Sequence, residues 1–340
     1  MYIMKKICLL LITLFSSMVT AAEFVSASEF NFSVDTVLPN NQREGSTYYD
    51  LVMEPNKQQE IITKIKNHTN REIEVEVSIE PATTNINGVV DYSKTEKSVD
   101  ETAPFNIKDY VKANEQTIKI PANETCEYKL KISMPKNKFN GIVAGGITFK
   151  ELEEKKEKKE KSESQSMAIE NKFAYSIALL LRQNEISLDS DLKLINVRPD
   201  QLNGRNVIYS DLQNPIAKYL NKLTVDAKLT KKGKNETLFE ASNENMQMAP
   251  NTTMSFPIRL DGKKLEAGKY TMYINASSGE NKWQLEKDFE ITAERARELN
   301  KTDVSIEEDN SMLFIYIGIG ILIVLMLIII ILLIKKKNKA

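Results

Sequence analysis

Nucleophiles, general bases and metal ligands are scarce along these 340 residues. The chain holds one histidine, His68, and two cysteines, Cys8 and Cys126. His68 lies in Asn67-His68-Thr69-Asn70, beside Arg71, with no cysteine close to it in sequence. A catalytic base needs an orienting carboxylate and a nucleophile within hydrogen-bond reach, so this pattern is that of a turn residue. Cys126 keeps phase with Tyr128, Leu130, Ile132 and Met134; it reads as a small buried hydrophobe and not as a reactive thiol. With so few histidines and cysteines, the usual zinc ligand sets cannot be assembled. There is no Gly-x-Ser-x-Gly elbow and no Gly-x-x-x-x-Gly-Lys loop. Gly145-Gly146 sits inside an apolar run and reads as a strand with close-approach glycines. Carboxylates are abundant but alternate along strands, so no stretch marks a glycosidase pair. No catalytic residue, no metal and no cofactor is expected; the chain reads as a binding protein and not an enzyme.

The elements that carry these residues lie between two apolar ends. Lys5 and Lys6 precede the run 7–19, followed by small residues at Thr20-Ala21-Ala22 and Val25-Ser26-Ala27. This is the pattern of a secretory signal peptide, with cleavage expected after Ala27. Its removal takes Cys8 away and leaves Cys126 alone, so the exported part has no internal disulfide. Residues 312–334 form an apolar stretch followed by Lys335, Lys336, Lys337 and Lys339. About 23 helical residues rise roughly 34 Å, enough for a hydrocarbon core of about 30 Å. The lysines orient such a span with the tail in the cytoplasm. The expected localisation is therefore the cell membrane, single-pass, with the ectodomain outside and the C-terminus cytoplasmic. Lys plus Arg number 46 against 47 Asp plus Glu, and that balance, without a basic stripe, argues against a nucleic-acid partner.

Between the ends the period is two. Ile73, Val75, Val77 and Ile79 alternate with Glu72, Glu74, Glu76, Ser78 and Glu80, which predicts a half-buried antiparallel strand. The run 59–66 precedes it across the turn 67–70, and the pair is expected to form a hairpin. Further strands follow at 118–120, 126–134 and 141–149. The segment 151–166 alternates Glu and Lys in pairs such as Glu151–Lys155 and reads as a solvated loop. The run 171–182 either pairs back with 141–149 or opens a second domain. Seven candidate strands then fall at 192–197, 206–213, 223–229, 237–241, 254–260, 270–276 and 283–291, separated by turns such as Asn203-Gly204 and Asp261-Gly262. Their spacing predicts an immunoglobulin-like sandwich. Trp283 keeps phase with Leu285, Phe289 and Ile291, so it is assigned to the core or an edge. The polar segment 294–311 is expected to be a stalk.

The chain resembles the WxL-interacting proteins of Gram-positive bacteria. The residues that carry the likeness are Phe30-Asn31-Phe32-Ser33-Val34 with Pro39 and Gln42, Tyr48-Tyr49-Asp50-Leu51, the stretch 67–76, and Ala82-Thr83-Thr84-Asn85-Ile86-Asn87-Gly88-Val89-Val90-Asp91-Tyr92. Gly145-Gly146-Ile147, Phe173-Ala174-Tyr175-Ser176-Ile177, Gly268-Lys269-Tyr270, Trp283 and Phe289 complete it. Each motif alone is weak, and their order together is more specific. The resemblance implies an N-terminal peptidoglycan-binding domain, a C-terminal domain that binds host or partner proteins, and partnership with WxL-domain proteins on the wall.

The expected architecture is all-β: two tandem immunoglobulin-like sandwiches behind a signal peptide and before one transmembrane helix. The expected segments are 1–27 signal peptide, 28–150 peptidoglycan-binding sandwich, 151–166 charged loop, 167–293 host-binding sandwich, 294–311 stalk, 312–334 span and 335–340 tail. The expected role is attachment to peptidoglycan and to WxL-domain or host extracellular proteins, as an adhesion or scaffold component. An extracytoplasmic chaperone working by β-strand addition is the alternative, and a wall hydrolase the third reading. Tyr48, Tyr49, Asn85, Asn87, Asp91 and Tyr92 are the candidate binding residues; packing and turn formation are their competing roles.

Overall fold

Wherever β-branched residues alternate with charges, the chain forms strands. The structure is a computed structural model and describes residues 30–94, 98–152, 174–306 and 319–327. In chain order its elements are β1 (Phe32–Val37), β2 (Tyr49–Val52), β3 (Gln58–Asn67), β4 (Ile73–Pro81), β5 (Thr83–Thr84), β6 (Val90–Asp91), α1 (Ile107–Tyr110), β7 (Val111–Ala113), β8 (Thr117–Ile120), β9 (Thr125–Ser133), β10 (Val143–Glu151) and β11 (Ala174–Arg182). They continue with β12 (Lys193–Leu202), β13 (Arg205–Asn214), β14 (Leu220–Lys231), β15 (Thr237–Met248), β16 (Thr252–Arg259), β17 (Gly268–Ser278), β18 (Asn281–Ile291) and α2 (Ala293–Thr302). The class is all-β, in two compact units. The first takes the described residues of Met1–Ala82, Tyr92–Val99 and Pro104–Ser187; the second takes those of Thr83–Asp91, Asp100–Ala103 and Leu188–Ala340.

In the first unit the sheets run β1-β3-β9-β7 and β2-β11-β10-β4-β8. Phe32, Ile61, Ile65, Val75, Leu130 and Phe149, drawn from both sheets, share one core. Burying one such side chain is worth about 1.5–3 kcal/mol. The hairpin expected across 67–70 is corrected. β3 pairs with β1 and β9, whereas β4 pairs with β10 and β8, so the turn passes the chain from one sheet to the other. Asn67 sets that corner: its buried amide donates to the carbonyls of Arg71, Ile120 and Pro121. The alternation in β4 also ends early. Val77 is buried, Ile79 is only partly so, and Glu80 is buried where α1 brings Lys108 to its carboxylate.

The run around 174–182 belongs to the first unit. β11 pairs antiparallel with β10 and parallel with β2. By its contacts, the last part of the first unit reaches Ser187. Ala144, Gly145 and Gly146 explain the tight packing in β10, because a Cβ at Gly146 would fall 2.4 Å from that of Tyr92.

The second unit sets β12-β13-β16 against β15-β14-β17-β18. Leu223, Val225, Leu229, Phe256, Ile258 and Met272 are buried in a core common to both sheets. The paired strands β5 and β6 belong here too. Gly88 in their turn has φ +69 and leaves no room for a Cβ, which would meet Met246 at 2.4 Å. The stalk expected over 294–311 is corrected where it is described. Thr292 caps α2 by accepting from the Arg295 amide, and Ala296 and Leu299 are buried against the core. An amphipathic stripe with a satisfied N-cap docks and does not stand off.

The single-pass anchor expected over 312–334, and the cell-membrane localisation built on it, are corrected. Its described part is a helix over 319–327. Among the described residues no helix is long and apolar enough to cross a membrane. The remainder of 312–334, the leader 1–27, the tail 335–340 and residues 153–166 of the charged loop lie outside the described residues.

Candidate functional site

Tyr48 stands in the bend before β2 and Tyr49 opens the strand, and the two meet opposite environments. Tyr49 is 0% exposed, and its hydroxyl donates to the Ile62 carbonyl at 2.7 Å and lies 3.0 Å from Thr63 Oγ1. Burial raises its pKa. Tyr49 is therefore corrected from contact residue to core residue: no ligand reaches it without opening the sheet. Tyr48 is 38% exposed. Asn85 shapes the β5–β6 turn, its side-chain oxygen accepting from the amides of Asn87 and Val89. Asn87 is exposed, while Asp91 and Tyr92 are half-buried. Tyr48, Tyr49 and Tyr92 lie in the first unit, and Asn85, Asn87 and Asp91 in the second. The three of the second unit share the β5–β6 hairpin.

The reactive groups are engaged structurally. His68 Nε2 lies 2.9 Å from Ser33 Oγ. Cys126 packs partly against the core, and burial raises its pKa. Asp50 is buried and held by Arg182 in a two-point pair, at 2.6 and 3.0 Å, with Arg43 at 3.3 Å. That geometry fixes β2 beside β11. Among the described residues no group of three or more His, Cys, Asp or Glu could hold a metal ion.

Two surfaces have the composition of binding sites. In the first unit, Phe105 lies edge-on to Tyr110 and Phe139, with ring centroids 4.7 and 5.4 Å apart. All three are half-buried. Gln183 accepts from the Phe139 amide, and Asn184 donates to the Phe139 carbonyl and to Asn140, so the loop between β9 and β10 is held in place. Half-buried aromatic rings beside fixed side-chain amides offer apolar faces and hydrogen bonds together.

In the second unit a cavity of about 420 Å³ opens where β14 and β16 end and β15 and β17 begin. Leu229, Leu260, Leu265 and Tyr270 line it as buried residues, with Leu238 and Phe239 partly buried. Lys231, Lys263, Lys264 and Glu266 form its rim. Lys231 Nζ sits 2.9 Å from the Glu266 carboxylate, and Lys263 Nζ lies 5.3 Å from the Phe239 ring centroid. The Tyr270 hydroxyl donates to the Glu266 carbonyl, and burial raises its pKa. Alternation alone did not reveal these sites, because their residues come from strand ends far apart in sequence. The available signals were Lys231-Lys232 at a strand end, Lys263-Lys264 in the loop after β16, Phe105 and Phe139 in loops, and Tyr110 closing α1.

Two all-β units, one presenting clustered rings and the other a charged apolar cavity, define a binding protein. Residues 32–151 match the model of the WxL Interacting Protein, peptidoglycan binding domain, and residues 164–301 that of the WxL Interacting Protein, host binding domain. The chain belongs to the WxL-interacting protein family, and its role is that of a surface binding or adhesion protein. No match was found among curated proteins. Among solved structures the chain is similar to the YadV chaperone, at 12% identity over 77% of this chain and 100% of that one, with TM-score 0.31. It is also similar to a chain of the CsuC-CsuE chaperone-tip adhesion subunit pre-assembly complex of Acinetobacter baumannii, at 14%, 76%, 98% and 0.32 in the same order. The E. coli chaperone DraB gives 14%, 77%, 98% and 0.28. Likenesses this distant transfer no function.

Proposed function

We propose that the chain is a scaffold that holds peptidoglycan through its first unit and a protein through its second, the protein being a WxL-domain partner or a host extracellular protein. The observation that carries this reading is the succession of the two family domains along one chain, at 32–151 and 164–301. Each unit is read as an immunoglobulin-like sandwich. For the second, the support is seven strands in chain order divided as first, second and fifth against fourth, third, sixth and seventh. The reading is non-enzymatic, in keeping with a family of binding domains.

On the first unit, Phe105, Tyr110 and Phe139 are the proposed sugar platform, with Asn140 beside them as a hydrogen-bonding amide. The C–H faces of pyranose rings stack on aromatic faces, and amides pair with hydroxyl and N-acetyl groups. Tyr48 and Tyr92, removed from that cluster in sequence, are kept as secondary contacts of the first unit, and Asn85, Asn87 and Asp91, in the β5–β6 hairpin, as contacts of the second. The test is co-sedimentation of the full chain with purified peptidoglycan, together with capture of a purified WxL-domain protein. We expect the chain to leave the supernatant with peptidoglycan, and the Tyr110→Ala, Phe139→Ala double variant to remain in it. A chain that stays soluble at every peptidoglycan load ends the reading.

A further inference from the structure

We propose that the cavity of the second unit takes one large apolar side chain from an extended, acidic segment of a partner protein, which adds as a strand to β15. The proposal rests on the reading that this unit binds a protein. It names the chemistry of what is bound and the place where binding occurs.

Three observations on this unit converge. The first is the cavity itself. Its volume of about 420 Å³ lies in the range of ligand-binding pockets, roughly 300–1,000 Å³. Leu229, Leu260 and Leu265 at its base offer water no hydrogen bond, so an apolar group entering it releases poorly held water. The second is charge. Glu266 is the rim's carboxylate and is paired with Lys231, while Lys263 and Lys264 make no ion pair among the described residues. The mouth therefore carries two uncompensated positive charges, which favour an anionic partner and disfavour a cationic one. The third is the strand beside the mouth. β15 has one strand neighbour, β14; on its other edge the Gly88 carbonyl takes the Gln247 amide near the strand's end, and among the described residues no strand pairs with its start. Leu238 and Phe239, near its start, line the cavity. An open edge offers backbone donors and acceptors to an added strand.

The geometry of strands then fixes the pattern of the occupant. Side chains two residues apart share a face. A strand that sends an apolar side chain into the cavity thus places residues two before and two after on the same side, toward Lys263 and Lys264. The complementary sequence has acid, any residue, large apolar, any residue, acid.

The experiment uses the full chain and a fluorescein-labelled peptide, Thr-Glu-Thr-Phe-Thr-Glu-Thr, read by anisotropy. We expect saturable binding, which is lost when alanine replaces the phenylalanine. The Lys263→Glu, Lys264→Glu double variant should weaken binding about fivefold to tenfold, the scale of two partly exposed ion pairs. The same variant should bind the lysine counterpart, Thr-Lys-Thr-Phe-Thr-Lys-Thr, better than the native chain does. Leu238→Trp fills the cavity and should abolish binding, whereas Lys232→Glu, outside it, should not. No binding by the native chain, equal binding by the charge-reversed variant, or displacement of the peptide by laurate at lower concentration than by unlabelled peptide would each overturn the proposal. The last would mark the cavity as a site for an anionic amphiphile. Capture of a purified WxL-domain protein is run on the same variants. If capture persists while the peptide fails, the proposal falls and the protein-binding reading stands; if capture fails in the native chain, that reading falls by itself.

Discussion

At the residue scale the consequential groups are two carboxylates, Asp50 buried and Asp100 half-buried, each held by several hydrogen bonds. Arg182 holds Asp50 by two hydrogen bonds on β2, whose one strand neighbour in the sheet is the parallel β11. Removing one member of a buried pair leaves the other uncompensated. We expect Arg182→Met to lower the unfolding free energy by about 3 kcal/mol, measured by urea denaturation. Asp100 gives a pH-dependent counterpart in the second unit. Burial pushes its pKa up, but hydrogen bonds from Gln213, Thr102 and Thr253 outweigh that and leave it lowered. A carboxyl whose pKa is lower folded than unfolded binds more protons when unfolded. Its contribution is therefore complete above the unfolded value and is lost as pH falls through the folded one. Denaturation midpoints should decline on the acid side of the ordinary carboxylate range, and Asp100→Asn should flatten that limb. An unchanged acid limb in the variant would show that the carboxylate does no such work.

At the element scale, much of the secondary structure was legible and the pairing was not. Alternation located β4, β9, β14, β16 and β17 because a half-buried strand needs apolar residues at every second position. The same pattern is silent about neighbours. Ile73 to Val77 read identically whether the strand returns beside β3 or crosses to the other sheet. What decided it was Asn67, whose amide is committed to the Arg71 carbonyl just past the corner and to those of Ile120 and Pro121 at the end of β8. Tyr48 and Tyr49 were indistinguishable for a similar reason: two adjacent tyrosines carry no phase label until the sheet's inner side is known. The binding surfaces were hidden further, since Phe239, Lys263 and Tyr270 meet only once β15, β16 and β17 are placed. α2 shows composition misleading in the other direction, a polar segment with two buried side chains sufficient to dock it. Leu299→Ala should cost about 2–5 kcal/mol, as expected for a core leucine. A free stalk would register almost no change in the thermal midpoint, so differential scanning fluorimetry separates the two.

At the scale of the whole molecule, the two units do not follow one another along the chain. It leaves the first unit after Ala82, returns at Tyr92, leaves again for Asp100 to Ala103, and departs finally after Ser187. Each excursion is built into the second unit by specific contacts. Thr84 Oγ1 accepts from the Ala249 amide and lies 2.8 Å from Thr252 Oγ1, and the Gly88 carbonyl accepts from the Gln247 amide. Asp100 takes hydrogen bonds from Gln213 and Thr253, and Asn251 donates to Thr102. A single cut in sequence therefore damages both units. A fragment ending at residue 166 loses β11, on which β2 depends, and a fragment starting at 188 loses the partners of Ala249, Gln247 and Gln213. Each buried polar group left unpaired costs about 1–3 kcal/mol. We expect residues 188–306 alone to melt well below the second unit within the full chain. A synthetic peptide covering 82–104, added in trans, should raise that midpoint in proportion to its concentration, as a ligand of the folded state does. If the fragment melts where the intact unit does and ignores the peptide, the excursions are ornaments on an independent domain. If the peptide stabilises it, domain-dissection experiments must keep the excursions with the unit they complete, and peptidoglycan and protein binding must be assigned by point variants in the full chain.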